Sequence, residues 1–224
     1  MNGSSENRPD IILNIDKPVG WSSNDVIRYV RRVYSGVKVG HAGTLDPFAT
    51  GVLLVCVGKA TKRVNELMDL EKEYIAEICL GVETDTLDVS GSVTARGRLP
   101  ELTPELLKNA ENHFTGIIEQ TPPAYSAVKV QGQRAYEIAR QGKEVKLKTR
   151  HVSVSRLSLT QTAPDRVTMH TVCSKGTYIR TLAQDVCFFW GTFGYVQKLI
   201  RQRIGEYTLQ SSLPINQLYN KTSV

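Results

Sequence analysis

Apolar positions along the chain fall into short alternating or continuous runs separated by stretches of helical period. Residues 11–15 predict a short strand, which Asp16-Lys17-Pro18-Val19-Gly20 breaks. Ser22 or Ser23 can cap a following helix, with Asp25 near its positive end. Val26, Ile27, Val30 and Val33 mark one face of that helix, and Arg28, Arg31 and Arg32 lie off it. Residues 52–57 are continuously apolar and predict a buried strand. Residues 59–70 suit a helix with Val64, Leu67 and Met68 facing inward. Residues 74–80 alternate as a strand, and residues 81–91 are rich in turn formers.

Thr103-Pro104-Glu105 opens a helix whose apolar face is Leu106, Leu107, Ala110 and Phe114, and Gly116 ends it. The two prolines of Gln120-Thr121-Pro122-Pro123 exclude a central strand there. Residues 124–150 read as an excursion from the core. Residues 152–157 and 167–173 alternate as strands, Ser174-Lys175-Gly176-Thr177 is a tight turn, and residues 178–189 begin as a helix. Several strands lie too close in sequence for helical crossovers. The pattern therefore predicts an α+β fold with a mixed, largely antiparallel central sheet flanked by helices and loops.

Composition adds a partner. The chain has 224 residues, 41% hydrophobic and 22% charged, as a globular domain has. No apolar run approaches the ~20 residues of a membrane helix. Residues 1–10 are polar, lack a signal-peptide core and read as a disordered lead-in, so the cytoplasm is expected. The formal net charge of +6 favours a polyanion. Its distribution says more, because Lys129, Arg134, Arg140, Lys143, Lys146, Lys148 and Arg150 crowd one segment, and Lys198, Arg201 and Arg203 form a second group. Cys56, Cys79, Cys173 and Cys187 are scattered without a C-x-x-C pair and are expected as buried thiols.

The chemistry concentrates in Gly40-His41-Ala42-Gly43-Thr44-Leu45-Asp46-Pro47-Phe48-Ala49-Thr50-Gly51, directly before the 52–57 strand. Pro47 biases Asp46 towards extended backbone and fixes the next φ, so the carboxylate sits in a stiff frame. This string resembles the signature loop of the TruB-type pseudouridine synthases. Lys17-Pro18-Val19-Gly20-Trp21-Ser22-Ser23 and Lys175-Gly176-Thr177-Tyr178-Ile179-Arg180-Thr181 are similar to two further motifs of that family, with Ser22 in place of its usual Thr. The likeness spans about residues 11–207.

The resemblance implies the pseudouridine-synthase fold, a thumb-like insertion at 124–150, and isomerisation of uridine 55 in the tRNA T-loop. It implies Asp46 as nucleophile towards sugar or base, Tyr74 stacked on an extruded base, and Arg180 as cationic partner of the carboxylate. It further implies substrate contacts from Tyr178, Leu199 and His41, the last filling the gap left by the flipped nucleotide. Lys17 is expected to contact phosphate or brace the loop, and Asp88 to contact RNA or hold its own loop. RNA-backbone contacts are expected from the seven cations of 129–150 and from Arg201.

No redox or phosphate-energy step is needed, so no cofactor and no metal are expected. The expected partner is the T-stem-loop of tRNA, bound by a monomer with no membrane and no protein partner. Residues 11–215 are expected as the catalytic domain and 216–224 as a tail, with no length for the C-terminal PUA domain of many relatives. Gly194-Tyr195-Val196 departs from the family's usual Ala-His string. Rival readings are a guide-dependent pseudouridine synthase subunit, an RNA-binding or tRNA-folding protein without turnover, and a hydrolase using Asp46 with Asp85 or Asp88.

Overall fold

The computed structural model describes residues 10–130 and 132–218. Most of the expected lead-in, and residues 219–224 of the expected tail, lie outside them. In chain order the elements are β1 Ile11–Lys17, α1 Ser23–Val33, β2 Val39–His41, β3 Thr50–Val57, α2 Val64–Asp69, β4 Lys72–Leu80, β5 Val82–Thr84, β6 Val93–Arg96, α3 Pro104–His113 and β7 Gly116–Gln120. There follow β8 Lys129–Val130, β9 Gln133–Arg134, α4 Ala135–Ala139, β10 Arg150–Ala163, β11 Arg166–Cys173, α5 Ile179–Phe189, β12 Gly194–Ile204, β13 Tyr207–Thr208 and β14 Leu213–Pro214. The chain divides into two compact units, residues 1–73 with 200–224 and residues 74–199, so the division passes through β4 and β12.

In the first unit β3 is the central strand. β1 pairs with it antiparallel from Ile11↔Val57 to Lys17↔Gly51, and β2 does so through Val39↔Val57. The end of β12 joins it in parallel through Ile200↔Thr50 and Arg201↔Gly51, and β14 lies parallel to β1. Both faces of β3 are covered. Leu53, Val55 and Val57 pack with Val26, Ile27 and Val30 of α1, and Val52, Leu54 and Cys56 pack with Leu67 of α2 and Ile204. That is why the strand reads as an unbroken apolar run rather than an alternation. α1 starts as its sequence predicts: Ser22 and Asp25 form a reciprocal capping box.

The second unit is built on strands in the order β4-β11-β10-β7. β10 pairs antiparallel with β11 and, through Val154↔Gly116 to Arg150↔Gln120, with β7. Thr103 caps α3 with its hydroxyl on the Leu106 amide, and Pro104 opens it. α3 is tied to β10 where the Leu159 amide donates to Glu111 Oε1 at 2.8 Å. At the root of the 124–150 excursion the Thr121 and Thr149 hydroxyls are 2.9 Å apart. The excursion itself holds the β8–β9 hairpin and α4. The described strands thus make the mixed, largely antiparallel sheet of an α+β protein.

Four details differ from the sequence reading. β1 runs on to Lys17, because pairing to β3 outweighs the polar pair Asp16-Lys17. The 59–70 helix is a 3-10 turn over Gly58–Arg63 followed by the short α2, with Leu67 buried but Met68 exposed. The 81–91 loop contains β5, which pairs with β6. β12 has no legible strand pattern, since Gln197, Lys198, Arg201, Gln202 and Arg203 interrupt its apolar positions and Arg201 turns inward.

Candidate active site

The loop carrying Asp46 is held from three sides within the first unit. Ser23, buried at the start of α1, closes a two-way bond with Leu45: its Oγ donates to the Leu45 carbonyl at 3.1 Å and accepts from the Leu45 amide at 2.9 Å. The Ala49 amide donates to the Asp46 carbonyl at 3.1 Å, closing a turn with Pro47 at its second position. The Gly20 amide donates to the Pro47 carbonyl at 2.8 Å. Asp46 is half-buried between the buried Leu45 and Ala49, and His41 ends β2 opposite Val55.

Two buried cations complete the frame. Lys17 is fully buried, and its Nζ donates to the carbonyls of Trp21 (2.6 Å), Pro18 (3.0 Å) and Pro47 (3.4 Å). Burial pushes its ammonium down to about 8, and the Asp46 charge partly offsets that. Arg201 keeps 1% of its exposure and donates to the carbonyls of Val52 (2.6 Å), Thr44 (3.2 Å) and Gly43 (3.3 Å). Both side chains thus bond the backbone that surrounds the Asp46 loop.

In the second unit the β5–α3 region positions Arg180. This side chain, buried in the first turn of α5, donates to the Thr86 carbonyl at 2.7 Å and the Tyr125 carbonyl at 3.0 Å, and lies 3.5 Å from Asp88 Oδ2. Asp88 is equally buried, and its Oδ1 accepts from Thr86 Oγ1 at 2.9 Å and the Ser90 amide at 2.9 Å. The Asp88 carboxylate thus ties its own turn and lies beside Arg180. Leu87, between the two, has φ +61° and hands its carbonyl to the Val196 amide at 3.0 Å. A leucine held there is strained by about 1–2 kcal/mol, a cost found where surrounding structure over-determines a site.

Tyr74 is buried on β4, Leu199 is buried on β12, and half-buried Tyr178 is the residue before α5. Tyr178 is pinned by Gln120, whose Oε1 accepts from the Tyr178 amide at 2.7 Å and whose Nε2 donates to its carbonyl at 3.1 Å. The Arg150 guanidinium lies over the Tyr178 ring at 4.8 Å, with Nε and one Nη lacking a hydrogen-bond partner among the described residues. Lys129, Arg134, Arg140, Lys143, Lys146 and Lys148 are exposed. The roles of Gln120 and Leu87 left no trace in the sequence. That of Ser23 was visible only as a possible cap.

In the first unit the Asp46 loop is stiffly framed; in the second, Arg180 is buried on a helix that begins at a pinned tyrosine. Residues 31–179 match the family described as TruB family pseudouridylate synthase (N terminal domain), and the chain belongs to that family. The chain is similar to tRNA pseudouridine synthase B of Caldanaerobacter subterraneus subsp. tengcongensis, 43% identical over 93% of this chain and 74% of the relative. It is likewise similar to the protein of that name from Bacteroides thetaiotaomicron, 42% identical over 90% of this chain and 88% of the relative. Among solved structures it resembles one chain of a Cbf5-Nop10-Gar1 complex, with TM-score 0.72, 27% identity and 93% of this chain covered. It spans about half (53%) of that chain.

Proposed function

We propose that this chain converts uridine 55 in the T-loop of tRNA to pseudouridine, with Asp46 as the nucleophile. The observation that carries this reading is the Asp46 loop, whose backbone is fixed by Ser23, Lys17 and Arg201, so that Asp46 is held in a stiff, half-buried frame. Membership of a pseudouridylate synthase family and the names of its relatives support the tRNA substrate.

In this reading the uridine is flipped from its stack at a cost of a few kcal/mol. His41 fills the gap, the Tyr74 ring stacks on the base, and Tyr178 and Leu199 shape its pocket. Arg180 supplies positive charge that keeps a carboxylate ionised. Asp46 attacks and the base–ribose bond breaks; the base then turns and rejoins the ribose through carbon, the bond to Asp46 is broken, and that carbon loses its proton. The exposed cations of 129–148 and Arg150 hold phosphates. The place of action is the cytoplasm, and the working form is a monomer. Among the described residues no helix is long and apolar enough to cross a membrane.

The test is incubation of an unmodified tRNA transcript with the purified chain, with and without chelator, followed by single-nucleotide mapping of pseudouridine. Modification at position 55 that resists chelator and is lost in Asp46→Asn is the expected result. Turnover on bare transcript excludes the requirement for a guide RNA. Binding without modification would overturn the reading.

A further inference from the structure

A cleft of about 750 Å³ opens in the unit formed by residues 74–199, between the β5 region, the root of the excursion and one face of α5. Its charge is opposite to that of the chain. Glu83, Asp85, Glu119 and Asp185 line it, and none of its lining residues is a Lys or Arg, in a protein of net charge +6. Phe114, Phe188 and Pro122 supply apolar walls. An RNA phosphate is repelled from such a place.

Thr181 and Asp185, one helical turn apart on α5, are the unusual members. Thr181 keeps 6% of its exposure, borders the cleft, and its Oγ1 has no hydrogen-bond partner among the described residues. Asp185 accepts no hydrogen bond from a described residue, whereas Glu83 is held by Gln184 at 2.9 Å and Asp85 by the Ser92 amide at 2.8 Å. Burial raises the Asp185 carboxyl to about 6. An acid kept in a poorly solvated wall without a partner costs stability, and such groups gather at functional sites.

We propose that this cleft binds an aliphatic oligoamine, with an ammonium group on Asp185 and the Thr181 hydroxyl and the hydrocarbon stem along Phe114 and Phe188. Among the described residues no group of three His, Cys, Asp or Glu is placed to hold a metal ion, so the four lining carboxylates do not converge on one point. Charges spaced along an apolar stem match that distribution better than a single compact ion does. The inference is independent of the role given to Asp46.

The probe is spermidine, titrated calorimetrically into the full chain at fixed ionic strength, with magnesium chloride as competitor. One saturable site is expected, at least 10-fold weaker in Asp185→Asn and a few-fold weaker in Thr181→Val and Glu83→Gln. Glu105→Gln, on α3 outside the lining, should bind as the parent does. Thermal melting confirms that each variant is folded. Absence of saturation at millimolar spermidine, unchanged affinity in Asp185→Asn and Glu83→Gln, or equal displacement by magnesium at equal ionic strength would each overturn the proposal.

Discussion

Gly51 and Arg201 face each other across the parallel β3–β12 pair so closely that a Cβ on Gly51 would meet the Arg201 carbonyl oxygen at 2.3 Å. Gly51 also has φ +103°, which L side chains rarely adopt. Gly51→Ala is therefore expected to cost about 2–4 kcal/mol, as overpacking and backbone strain combine. Urea unfolding measures it, and a loss below about 0.5 kcal/mol would contradict the geometry.

Arg201 and Arg150 make a contrasting pair for RNA binding. Arg150→Ala should weaken tRNA binding several-fold and reduce the magnitude of the log affinity against log salt slope by about 1, the signature of one lost phosphate contact. Arg201→Met should lower the melting temperature instead and leave the slope unchanged, since its guanidinium bonds three backbone carbonyls inside the fold. Filter binding at four salt concentrations separates the two. The same slope in both variants would refute the assignment.

These two arginines show what the sequence could and could not say. The apolar runs of β3 and β4, the Ser22 and Thr103 caps and the proline stop after Gln120 were legible, because each rests on local chemistry. The Asp46 loop was legible because its string is long. Whether an arginine points out or in depends on carbonyls distant in sequence, such as Thr44 and Val52 for Arg201. The same holds for Lys17 and Asp88, whose burial follows from tertiary packing, and for Leu87, whose strain no residue pattern announces.

Lys17 carries a pH dependence. Its folded-state pKa, about 8, lies below the ordinary 10.5 because of burial. The unfolded chain thus holds the proton more tightly between those values, and stability from this group rises as pH goes from 8 to 10.5 and falls again as pH drops through 8. Relative to Lys17→Met, the parent should gain stability over that range. Denaturant midpoints of both proteins at pH 7.5 and 10 check it, and a gain of the opposite sign would refute the buried ammonium.

Asp185 works the other way. Its folded-state pKa of about 6 exceeds the ordinary 3.8, so its contribution is full below pH 3.8 and is lost as pH rises through 6. Asp185→Asn should therefore stabilise the protein at pH 7.5, by about 1 kcal/mol once partial solvation is allowed for. The gain should shrink towards pH 4. Melting curves at pH 4.5 and 7.5 test this, and a variant less stable at pH 7.5 would contradict it.

Arg180 and Asp88 should act together. Asp88→Ala leaves a buried guanidinium with fewer acceptors, and turnover in the tRNA assay should fall by about 100-fold while RNA affinity changes less than 3-fold. Asp88→Asn, which keeps the Ser90 and Thr86 contacts in part, should fall less. Equal loss of affinity and turnover would place Asp88 on the RNA after all.

The Thr121–Thr149 hydroxyl pair and the two hydrogen bonds between Gln120 and Tyr178 close the root of the excursion as a clasp closes a loop of chain. Because β7 and β10 are already paired at Gln120↔Arg150, the intervening segment adds a loop-closure term that grows only slowly with its length. The segment is thus tolerant of changes in length: residues 127–148 can be shortened while the Thr121–Thr149 clasp, the Tyr125 carbonyl on Arg180 and the register of the sheet beneath stay in place.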